Sequence, residues 1–332
     1  MKKILSITIS ILLTLIIIEI SLRAMDIFPW KYELGANTFS GDKIFKEESE
    51  LGWISAERVT LVNPDFKITI DENGARKSGL VRKNFDKSII LIGGSFAQGW
   101  GVNDEETFSS KLEKKYSNLK VYNYGQGGYG TIQSLLLLKK KIQKIEKPKL
   151  VIYVFIDHHE FRNAARMSWM RTLASLSESG NVKLPYGTIG EEDELIIKPP
   201  ISNLNFPLKD KSSIITILEK AISKNMSKEH FPNDRTRKKQ QEMITKKAIM
   251  EIKNVSNSFN TKFLITILEV ANQNILNNYE NFFKENKINF ADCHISLTNE
   301  MVIVGDYHPS SKAHSHYSEC LYKHISKENL LN

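Results

Sequence analysis

Three short apolar, β-branched runs, each ending in glycine or polar residues, constrain this chain more than any other feature. Ser88–Ile92 ends in Gly93-Gly94-Ser95, and Val121–Tyr124 runs into Gly125-Gln126-Gly127-Gly128-Tyr129-Gly130. Leu150–Ile156 ends in Asp157-His158-His159. Between them, Thr107–Tyr116 and Thr131–Glu146 carry helical spacing, and Pro148 stops the second. Strands that are apolar on both faces and alternate with helices predict a doubly wound, mostly parallel sheet covered by helices. The pattern continues with a helix over Arg237–Val255, a strand over Lys262–Leu268 and a helix over Asn274–Glu285. A last strand over Ile288–Phe290 and a closing helix over Lys312–Ser326 complete it. Residues 175–235 hold most of the remaining prolines with weak periodicity and read as an insertion. Residues 25–84 read as a linker and a small β-rich lead-in, with runs at Val59–Val62 and Phe66–Ile70 closed by the turn signal Asp71-Glu72-Asn73-Gly74. The main domain is then expected over 85–332.

The first 24 residues are of another kind. Met1-Lys2-Lys3 precedes Ile4–Ile18, which is apolar apart from Ser and Thr, and Glu19 follows near the end of the run. Ile4–Leu22 comes close to the ~20 residues that cross the hydrocarbon of a bilayer. Ser21-Leu22-Arg23-Ala24 is a poor cleavage site, and the segment has no lipobox cysteine. An uncleaved signal anchor is expected, with a cleaved signal as the competing reading. Lys2 and Lys3 place the N-terminus in the cytoplasm and the bulk of the chain outside.

Net charge is +8 over 332 residues. Its densest runs, Lys139–Lys141 and Arg235–Lys239, fall in or beside predicted helices and read as solvated faces. A nucleic-acid partner would concentrate that charge in a motif, so none is expected. Cys293 and Cys320 have no metal-ligand spacing. An oxidising compartment would permit a bond between them, yet two separate buried thiols are the expectation.

Ligands of open parallel sheets bind beyond the carboxyl ends of the strands. Here those ends carry Ser95 at a sharp strand-to-helix turn, the glycines of 125–130, and Asp157-His158-His159. Asp306-Tyr307-His308-Pro309 stands just before the closing helix. These are the parts of acyl chemistry. A serine is a poor nucleophile until a base takes its proton, histidine suits that task near neutral pH, and an aspartate holds the imidazole's tautomer. His314 and His316, two residues apart on the predicted closing helix, point to different faces and form no pair.

The order of the pieces makes the chain resemble the SGNH (GDSL-type) hydrolase superfamily. Ile90-Leu91-Ile92-Gly93-Gly94-Ser95-Phe96-Ala97-Gln98-Gly99-Trp100-Gly101-Val102 resembles its first block, whose core is Gly-Asp-Ser. Asn123 through Thr131 resembles the second, with Gly128 at the oxyanion glycine. Pro148–Asp157 resembles the strand that leads to the third, and Asp306–Pro309 the last; the likeness covers roughly residues 85–325. It implies a three-layer α/β/α sandwich with a flavodoxin-like sheet and attack by Ser95 on an ester carbonyl. His308 would be the base and Asp306 its partner, with no metal and no organic cofactor. The oxyanion would rest on the N–H groups of Ser95 and Gly128 and a side-chain amide from the third block.

Three departures stand out. Gly94 replaces the usual Asp, and one residue separates Asp306 from His308 where two are commoner. Asp157 stands at the third-block Asn, and an ionised carboxylate cannot donate to an oxyanion. His158 or Asn163 is therefore expected to supply that donor, with Asp157 orienting it. The function expected is an extracytoplasmic ester hydrolase or O-acyltransferase acting on acyl esters of envelope glycans or lipids. The alternative is a non-catalytic, glycan-binding protein of the same fold. The sequence leaves oligomeric state open.

Overall fold

The computed structural model describes residues 2–31, 40–41, 43–80, 84–177, 179–230 and 234–332. Parts of the expected linker and of the expected insertion therefore lie outside the described residues. The elements run α1 (Lys2–Ala24), β1 (Ser40–Gly41), β2 (Phe45–Glu48), β3 (Gly52–Ser55), β4 (Val59–Val62), β5 (Lys67–Ile70) and β6 (Lys87–Gly93). Next come α2 (Ser95–Gln98), α3 (Phe108–Lys114), β7 (Leu119–Gly125), α4 (Thr131–Lys141), β8 (Pro148–Ile156), α5 (His159–Asn163) and α6 (Met167–Ser175). The chain continues with β9 (Lys183–Ile189), β10 (Leu195–Ser202), α7 (Ser213–His230), α8 (Asp234–Ser258), β11 (Lys262–Glu269), α9 (Gln273–Glu285), β12 (Asn289–Asp292) and α10 (Ser311–Lys327).

These elements form two compact units, residues 1–35, 166–183 and 202–237 in the first and 36–165, 184–201 and 238–332 in the second. The second unit carries a five-stranded parallel sheet in the order β12-β11-β8-β6-β7. Counted along the chain this is the flavodoxin-like order 2-1-3-4-5. The all-apolar strands are explained by cover on both faces. Ile90 and Ile92 face a core with Leu135 and Leu138 of α4, Ile249 of α8 and Tyr279 of α9. Ile89 and Leu91 face another with Phe108 of α3 and Tyr317 of α10. Each fully buried Ile or Leu contributes about 1.5–3 kcal/mol relative to exposure, so a one-residue slip of β6 would exchange two packed faces. The result is a three-layer α/β/α sandwich around the parallel sheet that the strand–helix alternation predicts.

In the first unit, α1 is a 23-residue helix with no buried residue. It is long and apolar enough to cross a membrane. Its Glu19 carboxylate accepts hydrogen bonds from Ser213 N at 2.9 Å, Ile214 N at 3.2 Å and Ser212 Oγ at 2.9 Å, and so caps the first turn of α7.

One expectation is corrected. Cys293 and Cys320 are joined in a disulfide, with Cα atoms 5.8 Å apart, within the span a disulfide bridges. Cys293 follows β12, and α10 lies on the same core face, so the buried position that suggested an inert thiol also supplies its partner.

Candidate active site

Ser95 owes its place to glycines on both sides of it. β6 ends at Gly93, whose φ is +153°, and a Cβ there would stand 2.9 Å from Ala97 Cβ and 3.1 Å from Val154 O. Gly93 pairs with Gly125 at the end of β7. A Cβ on Gly125 would meet Gln98 N at 2.2 Å, so glycine alone lets β7 reach the turn that carries the serine. The turn is also held by side chains. Asn123 Nδ2 donates to Ala97 O at 2.8 Å, and the buried Arg76 donates through Nη1 to Gln98 O at 2.8 Å. Burial lowers the Arg76 pKa to about 10, which leaves the guanidinium charged. Ser95 itself is only 7% exposed.

Asp306 and His308 come from a hairpin-like loop between β12 and α10. Ile303 N bonds His308 O at 2.8 Å, Ser310 N bonds Met301 O at 2.8 Å, and Val302 bridges Pro309. Tyr307 at the tip has φ +59°, and Gly305 has φ +81°. This left-handed kink at the spacer is what the one-residue interval needs, because extended backbone would send Asp306 and His308 along the chain without folding them together. His308 Nδ1 lies 2.6 Å from Asp306 Oδ1, and His308 Nε2 lies 2.9 Å from Ser95 Oγ. The second carboxylate oxygen of Asp306 accepts from Trp100 Nε1 at 3.0 Å. Two partners thus fix both oxygens of the carboxylate and with them the plane of the imidazole.

Gly128 stands in the left-handed region at φ +83°, in the loop that follows β7 beside the Ser95 turn. The third-block residues are used differently from what their types suggested. Asn163 Nδ2 donates to Thr131 Oγ1 at 2.9 Å and to Thr245 Oγ1 at 2.8 Å, while its Oδ1 accepts from Ile132 N at 3.0 Å. Both amide hydrogens are committed to holding α4 and α8, so Asn163 has none for an oxyanion, and that expectation is corrected. His158 is half exposed, and its Nε2 lies 3.9 Å from Asp157 Oδ1. Asp157 Oδ2 accepts from Ala271 N at 2.8 Å, tying the end of β8 to the segment after β11.

His159 is buried, and its Nδ1 lies 2.6 Å from Tyr153 Oη. Burial, with Arg162 and His158 adding to it, keeps the ring neutral by pushing its pKa well below the usual value. Its Nε2 and Arg162 Nη1 stand 3.0 and 3.1 Å from where a Cβ of Gly94 would be. The space that a side chain at position 94 would occupy is therefore already filled, which accounts for Gly94. Glu269, at the end of β11, completes the surroundings. Burial raises its pKa first and Asp157 adds to that, while His158, Arg162 and His308 pull it down. His314 is buried and accepts from Phe108 N through Nδ1 at 3.2 Å, whereas His316 is exposed. Arg76, Trp100 and Glu269 escaped the sequence pattern. The only signal for Trp100 was its place inside the first block.

No protein-family model matches the chain, and no curated protein is similar to it in sequence. Solved structures are similar at low identity. One is a member of the lipolytic protein G-D-S-L family from Veillonella parvula, 9% identical, covering 73% of this chain and 99% of that one, with a TM-score of 0.42. Another is a catalytic mutant of an acetylxylan esterase from Geobacillus stearothermophilus, 8% identical, covering 74% and 96%, at 0.39. A lipase/acylhydrolase from Enterococcus faecalis is 10% identical, covering 73% and 96%, at 0.35.

Proposed function

We propose that the chain is a membrane-anchored serine ester hydrolase or O-acyltransferase whose second unit faces away from the cytoplasm. The observation that carries the reading is the series Ser95 Oγ, His308 Nε2, His308 Nδ1 and Asp306 Oδ1, with gaps of 2.9 and 2.6 Å. In this order His308 Nε2 takes the Ser95 proton as Oγ attacks the ester carbonyl. Asp306 holds the Nδ1 hydrogen and offsets the imidazolium charge. Collapse of the tetrahedral intermediate expels the alcohol, which receives the proton from Nε2 and leaves an acyl group on Ser95. Water then releases the acid, or the hydroxyl of an acceptor carries the acyl group away. The N–H groups of Ser95 and Gly128 are the proposed oxyanion donors. Acyl esters of envelope glycans or lipids are the substrates proposed, because α1 would keep the chain at the membrane. The disulfide agrees with an oxidising compartment.

A fluorophosphonate probe tests the chemistry. The intact chain should be labelled at Ser95. Ser95→Ala and His308→Ala should each lose labelling and about 10³-fold or more of short-chain aryl ester turnover. A folded chain that never labels would leave a glycan-binding protein without catalysis. Membrane pelleting with an unprocessed N-terminus is expected for the anchor, and a soluble chain starting near residue 25 would overturn it.

A further inference from the structure

The first unit carries a cavity of about 740 Å³, within the range of small-molecule sites. Lys31, Arg166, Arg171, Lys220, Lys224 and Arg237 all line it, and none of its lining residues among those described is acidic. One carboxylate stands behind this wall: the buried Glu219 lies 3.6 Å from Arg171 Nε. Ser168 adds a hydroxyl, Thr172 Oγ1 already donates to Ser168 O at 3.2 Å, and Trp30, whose backbone N–H bonds Thr216 Oγ1 at 3.0 Å, adds its indole. Such a concave cluster of one sign suits an anion with several acceptor oxygens.

The rest of the same unit indicates where that anion comes from. Apart from α1, its exposed large apolar residues are Met25, Phe28, Leu176, Leu208, Leu218 and Ile222. The second unit, much the larger, exposes only Val62, Phe259, Val304 and Tyr307 among the described residues. On α7, Leu218 and Ile222 are four residues apart, as are Lys220 and Lys224, so the helix offers an apolar stripe and a basic one. Two residues separate the pairs, so the stripes lie on opposite faces, the pattern of a helix that lies along a bilayer interface with its apolar face inward. Glu19 near the end of α1 is bonded to the first turn of α7. If α1 spans the membrane, α7 starts at headgroup depth, and Lys220 and Lys224 follow within about 10–16 Å along it.

We propose that this cavity binds the phosphate of an anionic phospholipid headgroup, so that the first unit sits on the membrane surface by a specific lipid contact as well as by its helix. The proposal rests on the reading of α1 as an anchor.

The test uses the full chain in a neutral detergent, so that it reports on the cavity whether or not α1 spans a bilayer. Carbonate-resistant pelleting reports on α1 separately. Thermal midpoints are followed while phosphatidylglycerol, phosphatidylcholine or inorganic phosphate is added. Phosphatidylglycerol should raise the midpoint well above the effect of phosphatidylcholine. Lys220→Gln/Lys224→Gln should need about tenfold more phosphatidylglycerol for the same shift, since two charge-assisted contacts are lost. Both lysines are exposed, and a lipid-free thermal midpoint equal to that of the wild type shows that the variant is folded. Arg166→Gln, also exposed, is the second variant and should weaken the response in the same direction. Lys114→Gln, at an exposed lysine of α3 in the second unit, is the control, and a double variant that titrates like it or like the wild type overturns the site. Inorganic phosphate matching phosphatidylglycerol at equal concentration overturns the lipid assignment in favour of free phosphate.

Discussion

The two sides of the candidate site are built in opposite ways. The serine side is packed backbone: Gly93 and Gly125 let β6, β7 and α2 approach until a single Cβ would collide with main chain. The Asp306–His308 side is a loop at the surface, where Val304 is 95% and Tyr307 82% exposed and a Cβ on Gly305 would meet nothing within 4 Å. Precision on the first side comes from burial, and on the second from a few directed hydrogen bonds. Damage to the packing should therefore appear as lost folding, and damage to the directed hydrogen bonds as lost rate.

The largest expected effect belongs to the packed side. Gly125→Ala puts a methyl 2.2 Å from Gln98 N, against backbone that Asn123 and Arg76 hold. Overpacking of this kind costs about 3 kcal/mol or more, so the variant should unfold at markedly lower denaturant or fail to fold. Gly305→Ala has open space and meets only the left-handed φ, at about 1–2 kcal/mol. Equal denaturation midpoints for the two variants would erase the contrast.

The loop has one strong tether at its base. The disulfide joins residues 27 apart and ties the end of β12 to α10, on either side of the loop. Cross-links of this span stabilise by about 3 kcal/mol. Cys293→Ser/Cys320→Ser should lose about that much in urea unfolding. Aryl ester turnover of the still-folded protein should stay within about threefold, because Trp100 and Ser95 continue to hold the pair. A larger fall in rate than in stability would mean that the tether sets the geometry of the site.

Trp100 is the point where the two sides meet. It follows the serine turn, and its indole N–H holds Asp306 Oδ2. Trp100→Phe keeps an aromatic side chain and removes one hydrogen bond to a charged group, worth about 1.5–3 kcal/mol. A fall of about tenfold or more in kcat is expected, with KM and thermal midpoint little changed. If KM rises and kcat holds, Trp100 contacts substrate and does not position Asp306.

The packed side was the legible one. Strand runs such as Ser88–Ile92 are apolar on both faces, so period and glycine punctuation reveal the sheet and the place of Ser95 within a residue or two. The loop could be read only as a motif, because whether Asp306 reaches His308 depends on φ at Tyr307, which no side-chain pattern encodes. The β9–β10 hairpin was hidden by Pro185, Pro199 and Pro200, residues that strands tolerate at edges. Asn163 looked like a donor by type, yet type does not say that Thr131 and Thr245 have already taken its hydrogens. Arg76 lay outside every expected block, since its role depends on a turn folding back beside β7.

The smallest expected effect is at Asp157, where the third block departs from the resemblance. Its Oδ2 accepts from Ala271 N and its Oδ1 is buried without a hydrogen-bond partner among the described residues. Asn is nearly isosteric with Asp, and its Oδ1 can accept from Ala271 N in the same way. The amide then turns a donor toward the position that now holds a bare carboxylate oxygen, 3.9 Å from His158 Nε2. Asp157→Asn should therefore leave aryl ester turnover within about threefold of the wild type, or raise it if the new donor reaches the oxyanion. The comparison is best made by kcat on folded protein alongside Ser95→Ala. If Asp157→Asn is as inactive as Ser95→Ala while its thermal midpoint is unchanged, the carboxylate acts on the substrate directly, and the rate-determining side of the site extends to the end of β8.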